Sequence, residues 1–182
     1  MTNIGQSFLD HSRQFLLRDF LPKIAACANK LSDDDIWWRP NDTSNSIGNL
    51  LLHLSGNVRQ WIVSGVGGAP DARDRPREFA ERTAIPGAEL MAALTATVEE
   101  AEQVLANISP DALLEIRHIQ GNDVTILEAV YHVVEHFSMH TGQITYITKL
   151  RTGQDLGFHR HLSPPKTTAG EPPAAPVASE AR

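Results

Sequence analysis

The sequence predicts an all-α protein, a four-helix bundle followed by a disordered or extended proline-rich C-terminal tail. Three observations predict it. Apolar residues recur every three or four positions in four long segments, the spacing that gives a helix one dry face. Proline, glycine and short polar residues punctuate those segments where helices begin and end. Almost no stretch alternates with period two, so little material remains for a sheet core. The expected organisation is a bundle domain over residues 1–160 and a Pro/Ala-rich tail over 161–182.

The first helix is expected over about residues 4–29, marked by Ile4, Phe8, Phe15, Leu16, Phe20 and Ile24. Pro22 lies inside it without a backbone N–H, so a kink or a locally broken turn is expected there. LSDDDIWWRP reads as a capped turn, with Ser32 and Asp33 able to cap and Trp37 and Trp38 covering the core edge. A second helix should begin near Ser44 to Ser46, where short side chains accept the orphan N–H groups of a first turn. Ile47, Leu50, Leu51, Leu54, Val58, Trp61 and Ile62 form its core stripe, and the glycine-rich VGGAP ends it. Residues 66–86 read as a long, polar, exposed connection.

Pro86, with Glu89 behind it, suits the first turn of a third helix. Leu90, Leu94, Val98, Val104 and Leu105 are its stripe. SPDALL suggests a single helical turn, and RHIQGNDV a small extended or hairpin excursion around Gly121. Thr125-Ile-Leu-Glu128 is a capping-box pattern that opens the fourth helix. Its buried side is expected to be Val130, Val133, Val134, Phe137, Ile144, Ile147 and Leu150, and Gly153 ends it. After His161 the chain has too many prolines and too few large apolar residues to pack.

A chain of 182 residues with 41% hydrophobic and 21% charged residues has the balance of one ordinary globular domain. Net charge is −6, and no basic block is present. That argues against nucleic acid, whose phosphates need clustered Lys and Arg. No apolar run approaches the roughly 20 residues of a membrane span. The N-terminus lacks the basic-then-apolar pattern of a signal peptide, so the expected compartment is the cytoplasm. Cys27 is the single cysteine. It sits among alanines with no basic neighbour to lower its pKa, and reads as a small buried hydrophobe rather than a nucleophile.

The chemistry is concentrated in TILEAVYHVVEHFSMHTGQITYITKL. His132, His136 and His140 recur every four residues and so stack along one helical face. Neutral imidazole is a common ligand for zinc, nickel and similar ions, and two at i and i+4 can converge on one ion. The flanking Val133, Val134, Phe137, Met139 and Ile144 turn part of this stripe toward the core. His53 interrupts the apolar run LLLHL of the second helix, where a polar side chain costs free energy unless it is satisfied. One explanation serves both oddities: His53, His136 and His140 hold one metal ion, leaving a coordination position open. The competing reading is a set of buried histidines bonded to carbonyls or water.

His132-Val-Val-Glu135-His136 also fits H-x-x-E-H, a zinc-peptidase pattern with Glu as general base. Those enzymes are large and rich in sheet, and a five-residue pattern is weak, so that reading is set aside. Gly142 inside the helix suggests close approach by another backbone or a ligand, or else a tolerated packing glycine. His11, His118, His159 and His161 read as solvated.

SIGNLLLHLSGNVRQWI followed by EAVYHVVEHFSMHTGQITYITKL resembles the DinB-like/YfiT superfamily of metal-binding four-helix bundles, over roughly residues 4–158. The resemblance implies a metal triad at His53, His136 and His140, with His132 as a neighbour. Several members are thiol-dependent and use small thiols such as bacillithiol or mycothiol, so it further implies a metal-dependent thiol transferase or hydrolase. The alternative is a non-catalytic metal- or ligand-binding protein of the stress-response type. An all-nitrogen site favours zinc or nickel, then iron or manganese, over magnesium or calcium. A homodimer is expected, with a small molecule or low-molecular-weight thiol as substrate and neither nucleic acid nor membrane as partner. Substrate and reaction are not specified by the sequence.

Overall fold

The computed structural model describes residues 3–158; the tail, with His159 and His161, lies outside the described residues. The chain is mostly helical, with one small two-stranded sheet. Helix α1 (Ile4–Gln14) is capped by Asn3, whose side chain accepts from Gln6 N–H. It passes through a π-helical stretch, Phe15–Phe20, into α2 (Leu21–Ala28). The widened turn falls immediately before Pro22. A proline cannot donate the next i→i−4 bond, and the chain absorbs the lost rung with a looser one, Leu21 N–H to Leu16 O. The expected break is thus a π-bulge.

A short helix, α3 (Asp33–Trp37), starts in a capping box between Ser32 and Asp35. Another capping box, between Ser46 and Asn49, starts α4 (Ile47–Val58). That helix continues as a second π-helical stretch, Arg59–Val66. Next come α5 (Arg75–Ala80), α6 (Gly87–Ala106), a 3₁₀ turn at Pro110–Leu114 and the hairpin β1 (Ile116–Ile119) with β2 (Asn122–Thr125). The hairpin is antiparallel, with Ile116 opposite Thr125. Gln120 and Gly121 both take positive φ at its tip. The long α7 (Ile126–Thr152) begins in the predicted Thr125–Glu128 capping box and ends at Gly153, which adopts the left-handed conformation.

Helix α4 packs against both α6 and α7, while α2 and its π-helical lead-in pack on α7. Leu16, Ile24, Leu51, Leu54, Leu94, Val133, Phe137 and Ile144 fill the space between them. Several expectations need correction. Pro86 is the cap residue before α6 rather than part of its first turn. Ile4 and Leu150, assigned to core stripes, are exposed, because each sits at a helix end beyond the packed layers. Met139, counted among the apolar flank, is also exposed. A Cβ on Gly142 would meet nothing, so no protein backbone approaches there. The connection over residues 66–86 is not wholly exposed, for it contains α5 and carries two buried charged side chains into the site.

Candidate metal centre

Helix α4 presents His53, and α7 presents His136 and His140 one turn apart. The backbone reason is the one read from spacing: positions four apart share a helical face. The two helices pack directly, so the three imidazoles meet. His136 Nε2 lies 3.0 Å from His53 Nε2 and 3.1 Å from His140 Nε2. One ligand atom from each of the three falls within 4.8 Å of the others. His53 is 4% exposed and His140 8%.

The outer nitrogens fix the tautomers. His53 Nδ1 lies 2.8 Å from Glu78 Oε2 and 3.1 Å from Arg73 Nη2; the carboxylate, the shorter contact and an acceptor only, takes its N–H, and His140 Nδ1–H donates to Gln143 Oε1 at 2.7 Å. A neutral imidazole carries one proton, so both rings present a bare Nε2 lone pair to His136 Nε2. That nitrogen can supply one proton at most. Three nitrogens therefore converge on a point with too few protons among them. Adding protons is disfavoured: burial, then the neighbouring His140, His53 and His132, push the His136 pKa down to about 3. Burial also lowers that of His140, against the opposing pull of its Gln143 hydrogen bond. A metal ion placed there would satisfy all three lone pairs.

Glu78 was not foreseen. It sits on α5, and burial would raise its pKa, but hydrogen bonds from Arg73 and His53 outweigh that and leave it lowered. Arg73 grips it twice, Nε to Oε1 at 2.7 Å and Nη2 to Oε2 at 2.9 Å, and donates to Gln60 Oε1 at 2.9 Å. The Arg73 side chain is 4% exposed. Gly56 makes this possible: a Cβ there would lie 1.9 Å from Glu78 Oε1. The carboxylate thus rests against bare backbone one turn beyond His53. The pattern Asp74-Arg75-Pro76 is an N-cap followed by an early proline, and it was the signal in the sequence that a helix begins here.

His132 stands one turn below the trio. Its ring lies 5.4 Å from that of His136 and 4.2 Å from Trp61, and Asn57 Nδ2 is 3.3 Å from its Nε2. Burial lowers its pKa. Glu135, the would-be base of the peptidase pattern, is exposed. His118 is exposed on the hairpin and bonds Asp123, and His11 is exposed on α1. Cys27 is fully buried, and burial pushes its thiol pKa up. Two clefts flank the centre. One of about 460 Å³ is lined by Gly56, Arg59, Arg73, Arg77 and Glu78. Another of about 370 Å³ is lined by Trp38, Leu50, Gln143, Tyr146 and Ile147.

A helical protein in which two buried imidazoles and one half-buried imidazole from two helices share one point is of a class able to hold a metal ion. The chain belongs to the family described as "Protein of unknown function (DUF1572)", which matches residues 3–167. Comparison with curated proteins gives no match. No helix among the described residues is long and apolar enough to cross a membrane.

Proposed function

We propose that this chain is a DinB-like four-helix-bundle protein in which His53, His136 and His140 hold one divalent transition ion. Zinc or nickel suits the all-nitrogen set first, iron or manganese next. The reading rests on one observation: two of the three Nε2 lone pairs are fixed by outer hydrogen bonds, and all three nitrogens lie about 3 Å from one another or from a shared neighbour. When bound, such an ion supplies Lewis-acid activation of a water or a thiol near neutral pH.

On this basis the protein is a metal-dependent transferase or hydrolase acting on a small molecule. Its thiol, if it uses one, comes from a low-molecular-weight cosubstrate, since Cys27 is buried with a raised pKa. The cleft beside Gln143 offers aromatic and aliphatic walls for an apolar substrate group. The protein works as a homodimer in the cytoplasm. A second reading, a metal- or ligand-binding protein without turnover, is favoured by the full engagement of Glu78 with Arg73 and His53, which leaves it unsuited as a general base.

Elemental analysis of protein purified without a histidine tag should find one divalent transition ion per chain. His53→Ala and His140→Ala should lose it. A thiol-transfer and hydrolysis screen on the loaded protein then separates the two readings. Retention of one tightly bound ion by both variants overturns the triad.

A further inference from the structure

Three buried side-chain atoms have no hydrogen-bond partner among the described residues: Asn57 Oδ1, Trp61 Nε1 and His136 Nδ1. Asn57 is 4% exposed and Trp61 7%. All three belong to side chains gathered around His132. Asn57 Nδ2 lies 3.3 Å from His132 Nε2, and the Trp61 and His136 rings flank the His132 ring at 4.2 and 5.4 Å. A buried polar atom left unpaired costs about 1–3 kcal/mol, so three in one layer call for an explanation.

Their chemistry is complementary. Trp61 Nε1–H can only donate, and Asn57 Oδ1 can only accept. His136 Nδ1 becomes a donor as soon as its Nε2 lone pair is given to an ion, because the one proton of a neutral imidazole must then sit on Nδ1. The other two ligands already show what such an outer nitrogen receives: an oxygen of Glu78 for His53 and of Gln143 for His140. His136 lacks its counterpart, and the unpaired oxygen in the same layer around His132 is that of Asn57.

We propose that Asn57 is the positioning residue for His136, resting on the three-histidine reading above. Its Oδ1 accepts from His136 Nδ1–H, directly or through one bridging water to which Trp61 Nε1–H also donates. His132 sets the orientation of that amide. Its Nε2 accepts from Asn57 Nδ2, which leaves the oxygen, not the NH₂, for His136. The histidine that lies outside the triad thus acts on it at one remove, and the stripe His132–His136–His140 is a ligand pair with its own orienting group.

The test is zinc affinity by chelator competition, with the visible spectrum of the cobalt-substituted protein, on the full chain. Wild type, Asn57→Asp, Asn57→Leu and Asn57→Ala are compared. Loss of an orienting partner typically weakens metal binding by roughly 10–100-fold, and that is expected for Asn57→Leu and Asn57→Ala, with altered cobalt bands. Asn57→Asp keeps the oxygen and should stay within a few-fold of wild type. Melting of the metal-free Asn57→Leu and Asn57→Ala proteins serves as the folding control, since each substitution removes both the unpaired Asn57 Oδ1 and the Nδ2 bond to His132; if Asn57→Leu fails to fold, Asn57→Ala carries the comparison. Wild-type affinity and spectrum in the alanine or leucine variant overturns the proposal, as does an Asn57→Asp variant as weak as Asn57→Ala. Should wild type itself bind no zinc or cobalt, the three-histidine reading falls and this falls with it.

Discussion

The two ends of the histidine seam between α4 and α7 are built differently. At the upper end His53 meets Glu78, Glu78 meets Arg73, and Arg73 meets Gln60, a chain of short hydrogen bonds with every charge answered. One turn lower, around His132, Asn57 Oδ1, Trp61 Nε1 and His136 Nδ1 have no hydrogen-bond partner among the described residues. The first end is rigid by its own bonds, since its charged groups are buried and paired. The difference teaches that two of the three imidazoles are oriented by hydrogen bonds of the fold itself, while the third, His136, has none at its Nδ1 among the described residues.

The contrast is broken most completely at the shared point. His140→Ala should abolish stoichiometric metal binding, read by elemental analysis, because two imidazoles cannot enclose an ion as three do. The next largest effect falls on the rigid end. Glu78→Leu leaves Arg73, with a side chain 4% exposed, buried without its carboxylate. Removing one partner of such a pair costs about 3–5 kcal/mol, to be measured by denaturant unfolding, and zinc affinity should drop because His53 loses its acceptor. Wild-type stability in that variant would show the ion pair to be ornamental.

Gly56→Ala tests the same end more gently. Its Cβ would collide with Glu78 Oε1, so the carboxylate must shift, at a cost of about 1–3 kcal/mol with some loss of zinc affinity. A fully neutral substitution would mean that α5 moves freely.

Acid should act on the seam before it acts on the surface. The His136 pKa is lowered from 6.5 to about 3 on folding, first by burial. The unfolded chain therefore binds a proton that the fold refuses. The stability this contributes is complete above pH 6.5 and is lost as pH falls from there toward 3, beginning at on the order of 1 kcal/mol per unit. Urea midpoints of metal-free protein at pH 7.5 and 5.5 check it, and a higher midpoint at pH 5.5 would contradict it. On the proposed metal reading, the same depressed pKa values would let His136 and His140 keep an ion to lower pH than free imidazole would. Smallest of all is His118→Ala, on the exposed hairpin, which should change stability by no more than about 0.5 kcal/mol and leave metal binding intact.

Much of this was legible in the chain. Ser32, Ser46 and Thr125 announce helix starts because a cap is a local bond between residues three apart, and all three form capping boxes. Pro22 marked the first π-bulge for an equally local reason, the missing N–H. His136 and His140 could be paired from their spacing, and His53 was conspicuous as a polar residue in an apolar run. What resisted reading lay in the connection between α4 and α6. Arg73 and Glu78 look there like ordinary surface charges, and their pattern with flanking polar residues gives no sign of burial.

The sequence by itself determined the long helical segments, the capping boxes and the histidine stripe, since each depends on neighbours a turn apart, whereas α5 went unread within the connection. Tertiary structure alone decided that Glu78 lies against Gly56, that Arg73 answers it, and that Asn57 and Trp61 share a layer with His132. The ion pair itself spans only 5 positions, but its place against Gly56, and the layer around His132, join residues some 20 to 75 positions apart, and Gly56 contributes only the space it leaves. Local chemistry fixes where a helix begins; which charged side chain is carried inside is settled by which surfaces pack together.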